Sequence, residues 1–395
     1  EEEYLDLARF FLDQRGNPQG HELYGAYSQD HLPVTEQTEA VGHAVRAGYM
    51  YAGMADVGAL TGDRAYIDAL GHIWDNVVGR KLYVTGGLGA RRGNEGFGED
   101  YDIPNRTAYT ETCAAIANAL WNHRLFLLHG DAKYLDVLER VIYNGFLSGV
   151  ALDGEHFFYP NPLASDGTYT FNQGAIGRKG WFDCSCCPTN VVRYLPGIGE
   201  RIWATGEGPG GPELSAVLYV ESTASVELDG VLVELEQRTE YPRSGWVRIH
   251  VNPQRPVRFA LKLRAPSWLG EGTLKASVNR ERVRFMAWPV GDDSADVRGA
   301  RWLTIEREWR PGDVVSLELD VAPRRVHADP RVAANRGRVA VMRGPEVYCA
   351  EGVDHGGLAR RLVLPPDAAL ADAPESAAPG GAVVVTAEGF VARER

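Results

Sequence analysis

No apolar run in this 395-residue sequence approaches the roughly 20 residues that span a bilayer. Nor does a charged-then-apolar signal segment open it. An excess of positive charge is also missing: 41 Lys and Arg face 53 Asp and Glu, for a net charge of −12. That balance argues against nucleic acid and anionic membrane as partners, because both demand a basic surface patch. A neutral substrate fits better. Cysteine is scarce, with five in the whole chain. An odd count in a chain long enough to build its own core speaks against a disulfide framework. Unpaired reduced thiols suit the cytoplasm. The chain starts at Glu1 with no initiator Met and runs directly into a helix-like segment, which predicts an upstream portion.

The few cysteines are not scattered. Three fall within Cys184-Ser185-Cys186-Cys187-Pro188-Thr189-Asn190, and a fourth, Cys113, follows Glu111 by two residues ahead of an apolar helical run. Zinc takes thiolate and carboxylate ligands tetrahedrally, and short ligand pairs from distant segments are a common way to build its site. Glu111, Cys113, Cys186 and Cys187 form such a candidate set. Structural zinc sites usually space their cysteines by two to four residues, so the adjacent pair suggests a thiolate held for another purpose. A purely structural zinc, or reduced thiols with no metal, remain open on spacing alone.

Two periodicities divide the chain. Up to about residue 206 apolar residues recur at helical spacing, which predicts six helices near 4–13, 38–60, 64–79, 107–129, 132–150 and 189–204. Two long connections, 81–106 and 151–188, carry the cysteine cluster and most of the candidate carboxylates, and loops of that length in a helical domain are usually functional. Beyond the Gly/Pro-rich stretch 206–212 the pattern alternates, as in 215–220, 247–251, 257–263, 302–305, 314–319 and 339–345, which predicts β-domains of sandwich type. The expected division is 1–206 helical, 207–325 a β-sandwich, and 326–395 a second, partial β-domain. Its Ala/Pro/Gly-rich stretch 366–381 reads as a mobile linker.

Other residues in these segments carry candidate chemistry. The loop 94–105 holds Glu95, Glu99, Asp100 and Asp102. Solvated carboxylates that cap the next helix explain any one of them, but Glu95, set between Asn and Gly rather than among charges, is the best candidate for general-acid work. Aromatics gather in 156–162 and 181–182, where they suit either a sugar ring or ordinary packing under a long loop. His43 lies on an apolar helical segment, where a histidine is more often a core residue than a catalyst.

Taken together, Gly42-His43-Ala44-Val45-Arg46, the run 95–105, Glu111-Thr112-Cys113-Ala114 and the run 184–190 resemble glycoside hydrolase family 127, the β-L-arabinofuranosidases. The resemblance runs through the motifs from about 36 to 205 and more loosely through the β-half. It implies an (α/α)6 barrel followed by β-sandwich domains, and retaining hydrolysis of terminal β-L-arabinofuranosyl linkages. It also implies a zinc ion on Glu111, Cys113, Cys186 and Cys187, with Cys186 the nucleophile and Glu95 the general acid/base. His43 and Tyr159 would contact the sugar, and Cys184 has no role. A closed barrel of this kind takes twelve helices and six are read here. Half of it is therefore expected outside this sequence, with apolar faces left for another segment or a second copy to cover. The implied partner is an arabinofuranose-containing oligosaccharide or glycoconjugate. Other readings are a zinc-thiolate glycosidase for another sugar, a non-catalytic carbohydrate-binding protein, and a thiol redox protein using the Cys184/Cys187 C-x-x-C spacing.

Overall fold

The computed structural model describes residues 2–19, 21–270, 273–284, 296–373 and 382–392. Its contacts divide the chain into two units, one of residues 1–196 with 328–338 and the other of 197–327 with 339–395.

The first unit is mainly helical. Its α-helices are α1 (Glu2–Gln14), α2 (Ala44–Thr61), α3 (Arg64–Asn76), α4 (Thr112–His129), α5 (Ala132–Arg140) and α6 (Cys186–Tyr194). Helix α2 packs along α4, and Gly48 lets them approach closely, since a Cβ there would sit 2.8 Å from that of Ala117. Both helices bury residues on several faces, as their nearly continuous apolar sequences require. Helix α1 instead leaves Tyr4, Leu7, Phe10 and Phe11 exposed.

The six expected helices are present with shifted ends. Helices α2 and α4 begin later than 38 and 107, at residues 44 and 112, because the preceding segments are extended and deliver His43 and Glu111 to the helix N-termini. Helix α5 ends at Arg140 and continues as a π turn, Val141–Phe146, and a 3-10 turn, Leu147–Gly149. Helix α6 begins at Cys186, ahead of the expected 189. Pro188 lies in its first turn, where a missing N–H loses no intrahelical bond.

The second unit is built of β-sheets. Its first ten strands are β1 (Trp203–Gly208), β2 (Gly211–Ala216), β3 (Ser222–Leu228), β4 (Val231–Thr239), β5 (Trp246–Pro253), β6 (Val257–Ala265), β7 (Leu274–Val278), β8 (Glu281–Arg282), β9 (Arg301–Trp309) and β10 (Asp313–Leu319). They form a four-stranded sheet, β1-β2-β6-β9, and a six-stranded sheet, β3-β4-β5-β10-β7-β8. All these pairings are antiparallel except β2 with β6. Burial alternates along β4, β5 and β10, as a half-buried strand requires. The run 215–220, read as one strand, leaves the ladder after Ala216.

Within 366–381, residues 374–381 lie outside the described residues. Ala371–Ala373 form a strand paired with Val384–Thr386, and Asp372 accepts from the buried Arg343 at 3.0 Å. Arg343 also donates to the carbonyls of Pro242 and Arg243, so this part of the stretch is anchored.

Candidate active site

Four of the sequence-selected residues meet at the N-terminal turns of α4 and α6. Glu111 is the residue before α4, and Cys113 lies in its first turn. Thr112 pins that end to the loop 151–188: its N–H donates to the Tyr159 carbonyl at 3.0 Å and its hydroxyl to that of Phe158 at 2.8 Å. Cys186 and Cys187 open α6. One donor atom from each of Glu111, Cys113, Cys186 and Cys187 lies within 4.8 Å of all the others. Cys187 Sγ is 3.4 Å and Cys186 Sγ 3.6 Å from Glu111 Oε1, and the two sulfurs are 4.0 Å apart.

This set fits zinc. Metal bonds of about 2.0–2.3 Å arranged tetrahedrally hold ligands roughly 3.3–3.8 Å apart, near the separations found here. The second carboxylate oxygen of Glu111 is buried with no hydrogen-bond partner among the described residues, and such an atom calls for an explanation such as a cation. Burial pushes the Glu111 carboxyl and the Cys187 thiol well above their usual ranges. Hydrogen bonds from Cys113 and Cys187, with a further one from Tyr159, draw Cys186 down to about 2. The hydrogen bonds to Cys186 thus favour its thiolate, the form a nucleophile needs. Tyr159 is buried, which raises the pKa of its hydroxyl, and that hydroxyl lies 3.1 Å from Cys186 Sγ.

Glu95 reaches the same place from the other side. Gly42 and Gly96 make this possible: a Cβ on Gly96 would lie 1.9 Å from the Gly42 carbonyl oxygen, and one on Gly42 would lie 1.9 Å from that of Ala26. The two segments form a bridge, with Phe97 N–H donating to Gly42 O at 2.9 Å and Ala44 N–H to Glu95 O at 3.1 Å. Glu95 itself adopts φ +49°, a left-handed conformation uncommon outside glycine. Its Oε2 is 3.1 Å from His43 Nε2, and Tyr109 donates to its Oε1 at 3.0 Å. His43, at the start of α2, is held by Gln29, which donates to the carbonyls of Tyr27, Val41 and His43. Burial lowers its pKa, which favours the neutral ring. His43, Glu95 and Glu111 form a second group whose donor atoms all lie within 4.8 Å of one another. Glu111 belongs to both.

Two further carboxylates of the 94–105 loop, Asp100 and Asp102, have structural partners. Asp100 is partly desolvated, which raises its pKa, but bonds from Arg80 and Asn76 and the charge of Lys81 leave it lowered. Asp102 pairs with Arg91. Asn105 donates to the Ala334 carbonyl and the Asn335 side chain, and Arg331 stacks 4.0 Å from the Tyr101 ring centre, so residues 328–338 brace this loop. Sequence reasoning overlooked Tyr109, Gln173 and Asn172. Asn172 is fully buried and holds Tyr159 by accepting its N–H at 2.8 Å, while donating to the carbonyls of Phe157 and Gly177.

Comparison with known proteins agrees with this arrangement. Residues 1–200 match the description "Beta-L-arabinofuranosidase, GH127 catalytic domain", 213–321 the GH127 middle domain, and 323–387 the family's C-terminal domain. The chain belongs to glycoside hydrolase family 127. A non-reducing end β-L-arabinofuranosidase of Bifidobacterium longum subsp. longum is 35% identical over 386 residues, covering 90% of this chain and 56% of that protein. The crystal structure of a GH127 β-L-arabinofuranosidase from Geobacillus stearothermophilus T6 superposes with a TM-score of 0.89 at 39% identity, covering 98% of this chain and 62% of that one. Another GH127 β-arabinofuranosidase gives a TM-score of 0.82 at 42% identity over 98% and 62%. The chain thus spans rather more than half the length of these relatives. It shares with family 127 a mostly helical N-terminal region followed by β-sheet domains. Among the described residues no helix is long and apolar enough to cross a membrane.

Proposed function

We propose that this chain carries the active site of a retaining glycoside hydrolase that releases terminal β-L-arabinofuranose, with Cys186 as nucleophile and Glu95 as general acid/base. The observation that carries the reading is the shared position of Glu111, within 4.8 Å of the thiols on one side and of His43 and Glu95 on the other. A nucleophile and a proton donor thereby face one small space. Family membership and the printed activity of the relatives supply the sugar. The helical unit is read as part of an (α/α)6 barrel, and the two large sheets of the second unit as a β-sandwich.

In the first step Cys186 Sγ attacks the anomeric carbon while Glu95 gives its proton to the departing glycosidic oxygen, so the C–O bond breaks as the C–S bond forms. Glu95 then takes a proton from water. The resulting hydroxide displaces sulfur and restores the configuration, the double displacement familiar from carboxylate-based retaining enzymes. Tyr159 donates to Cys186 while the sulfur is anionic, favouring its departure in the second step. His43 holds Glu95 Oε2 and faces the sugar hydroxyls. Glu111, Cys113, Cys186 and Cys187 would hold a zinc ion, which when bound keeps its thiols deprotonated and stabilises the charge of a leaving thiolate. The substrate is an arabinofuranose-terminated oligosaccharide or glycoconjugate.

The test is nitrophenol release from an aryl β-L-arabinofuranoside, with bound zinc measured on the same sample. The reading predicts turnover with about one zinc per chain, and turnover abolished in Cys186→Ser while the fold is retained. Full activity in that variant sinks the mechanism.

A further inference from the structure

We infer that Gln173 and Tyr109 are positioning residues that determine which oxygen of Glu95 carries the transferable proton; the inference rests on the glycosidase reading. Gln173 Nε2 donates to Tyr109 Oη across 3.2 Å. A tyrosine hydroxyl has one proton, and the bond from Gln173 occupies an Oη lone pair, leaving that proton for Glu95 Oε1, 3.0 Å away. Oε1 is therefore an acceptor when Glu95 is charged and when it is protonated. The acid proton resides on Oε2.

Oε2 is the oxygen that Tyr109 leaves free, and it lies 3.1 Å from His43 Nε2. It gives up its proton as the glycosidic bond breaks and receives the proton of water in the second step. Oε1 stays bonded to Tyr109 throughout, so the carboxylate does not need to turn between its acid and base roles. Gln173 is itself fixed. It occupies the left-handed region at φ +49° and is followed by Gly174 at φ +88°. Lys179 Nζ donates to its carbonyl at 3.1 Å, and it directly follows the buried Asn172 that holds Tyr159 beside Cys186. Two consecutive residues of one turn thus hold the two sides of the site. Asn172 serves the nucleophile through Tyr159, and Gln173 serves the acid/base through Tyr109.

The test compares Tyr109→Phe and Gln173→Met on arabinofuranosides with poor and good leaving groups. Alkyl aglycones need acid assistance and a 2,4-dinitrophenyl group does not. A positioned general acid is worth roughly 10²–10⁴-fold, so each variant is expected to lose about 10–100-fold in kcat/KM on the alkyl substrate. On the dinitrophenyl substrate the loss should stay below about threefold. Because Gln173 acts through Tyr109, the double variant should be no slower than Tyr109→Phe within about twofold. Equal losses on both substrates, or additive losses in the double variant, overturn the relay. Gln173 is exposed, so its substitution leaves the packing intact. If the unsubstituted chain cleaves neither substrate, the glycosidase reading fails and the relay is judged by the crystal structure of Gln173→Met. A Tyr109 hydroxyl that has turned away from Glu95 Oε1 upholds it, and one that still bonds to that oxygen overturns it.

Discussion

Replacing Gly96 with alanine probes the contact on which the acid/base side of the site depends. The added Cβ would lie 1.9 Å from the Gly42 carbonyl oxygen and 2.6 Å from its carbon. Both are backbone atoms, and Gly42 in turn is pressed against the Ala26 carbonyl, so neither segment can yield by rotating a side chain. The strands of the bridge must separate. Overpacking of this kind costs about 1–3 kcal/mol, and the Phe97 N–H to Gly42 O bond at 2.9 Å, lost with it, contributes about 1 kcal/mol more. For a unit of roughly 200 residues each kcal/mol moves Tm by about 2–4 °C, giving an expected fall of about 5–15 °C. Gly93, in the same loop, has nothing within 4 Å of its Cβ position, and Gly93→Ala is the matched control, expected within about 0.5 kcal/mol of the parent. Differential scanning calorimetry of the three proteins, with arabinofuranoside turnover on the same samples, decides the matter. Equal melting of Gly96→Ala and Gly93→Ala would refute the close approach as the device that joins His43 to Glu95.

Other outcomes follow from the same geometry. Asp100→Asn removes the charge and one of the two oxygens that accept from Arg80 and Asn76 and is expected to cost about 1–3 kcal/mol near neutral pH. Because Asp100 is lowered in the folded state, its contribution is present above the unfolded carboxylate value of about 3.9 and fades as pH falls through the folded one. Thermal melts of parent and variant should therefore converge between pH 6 and pH 3, and a gap that widens on acidification contradicts the assignment. Asn172→Ala leaves the buried Tyr159 N–H without its acceptor; urea unfolding should show a loss of about 2–4 kcal/mol, and an unchanged midpoint would remove Asn172 from the account. Glu111→Gln is expected to lower zinc content by at least about tenfold at limiting metal, and parent zinc should dissociate as acid protonates the thiols. Undiminished zinc in the variant would exclude Glu111 as a ligand.

Legibility varied with the kind of signal. Cys186 and Cys187 stand beside each other, and Glu111 and Cys113 two apart, so local spacing pointed to the cluster that the fold brings together. Strands such as β5 and β10 were equally plain because their alternation is a local property. Helix starts were harder to place. The segments before Ala44 and Thr112 hold apolar residues and no proline, yet they are extended, with tertiary hydrogen bonds such as Thr112 N–H to Tyr159 O at the boundary. Glu95 could be preferred over Asp100 and Asp102 by its neighbours, yet what separates them is pairing with Arg80 and Arg91, which periodicity does not reveal. Tyr109, Asn172 and Gln173 carry no motif of their own; their roles arise from contacts between segments some 13 to 64 residues apart.

The most direct test of the account is the covalent intermediate. The Glu95→Gln variant, incubated with 2,4-dinitrophenyl β-L-arabinofuranoside and quenched in acid, should form the adduct without acid assistance and then stall for want of a base. Intact-mass spectrometry followed by peptide mapping should find one pentosyl group on Cys186. A chain that releases dinitrophenol but carries no sugar, or carries it on a carboxylate, would contradict the thiolate mechanism.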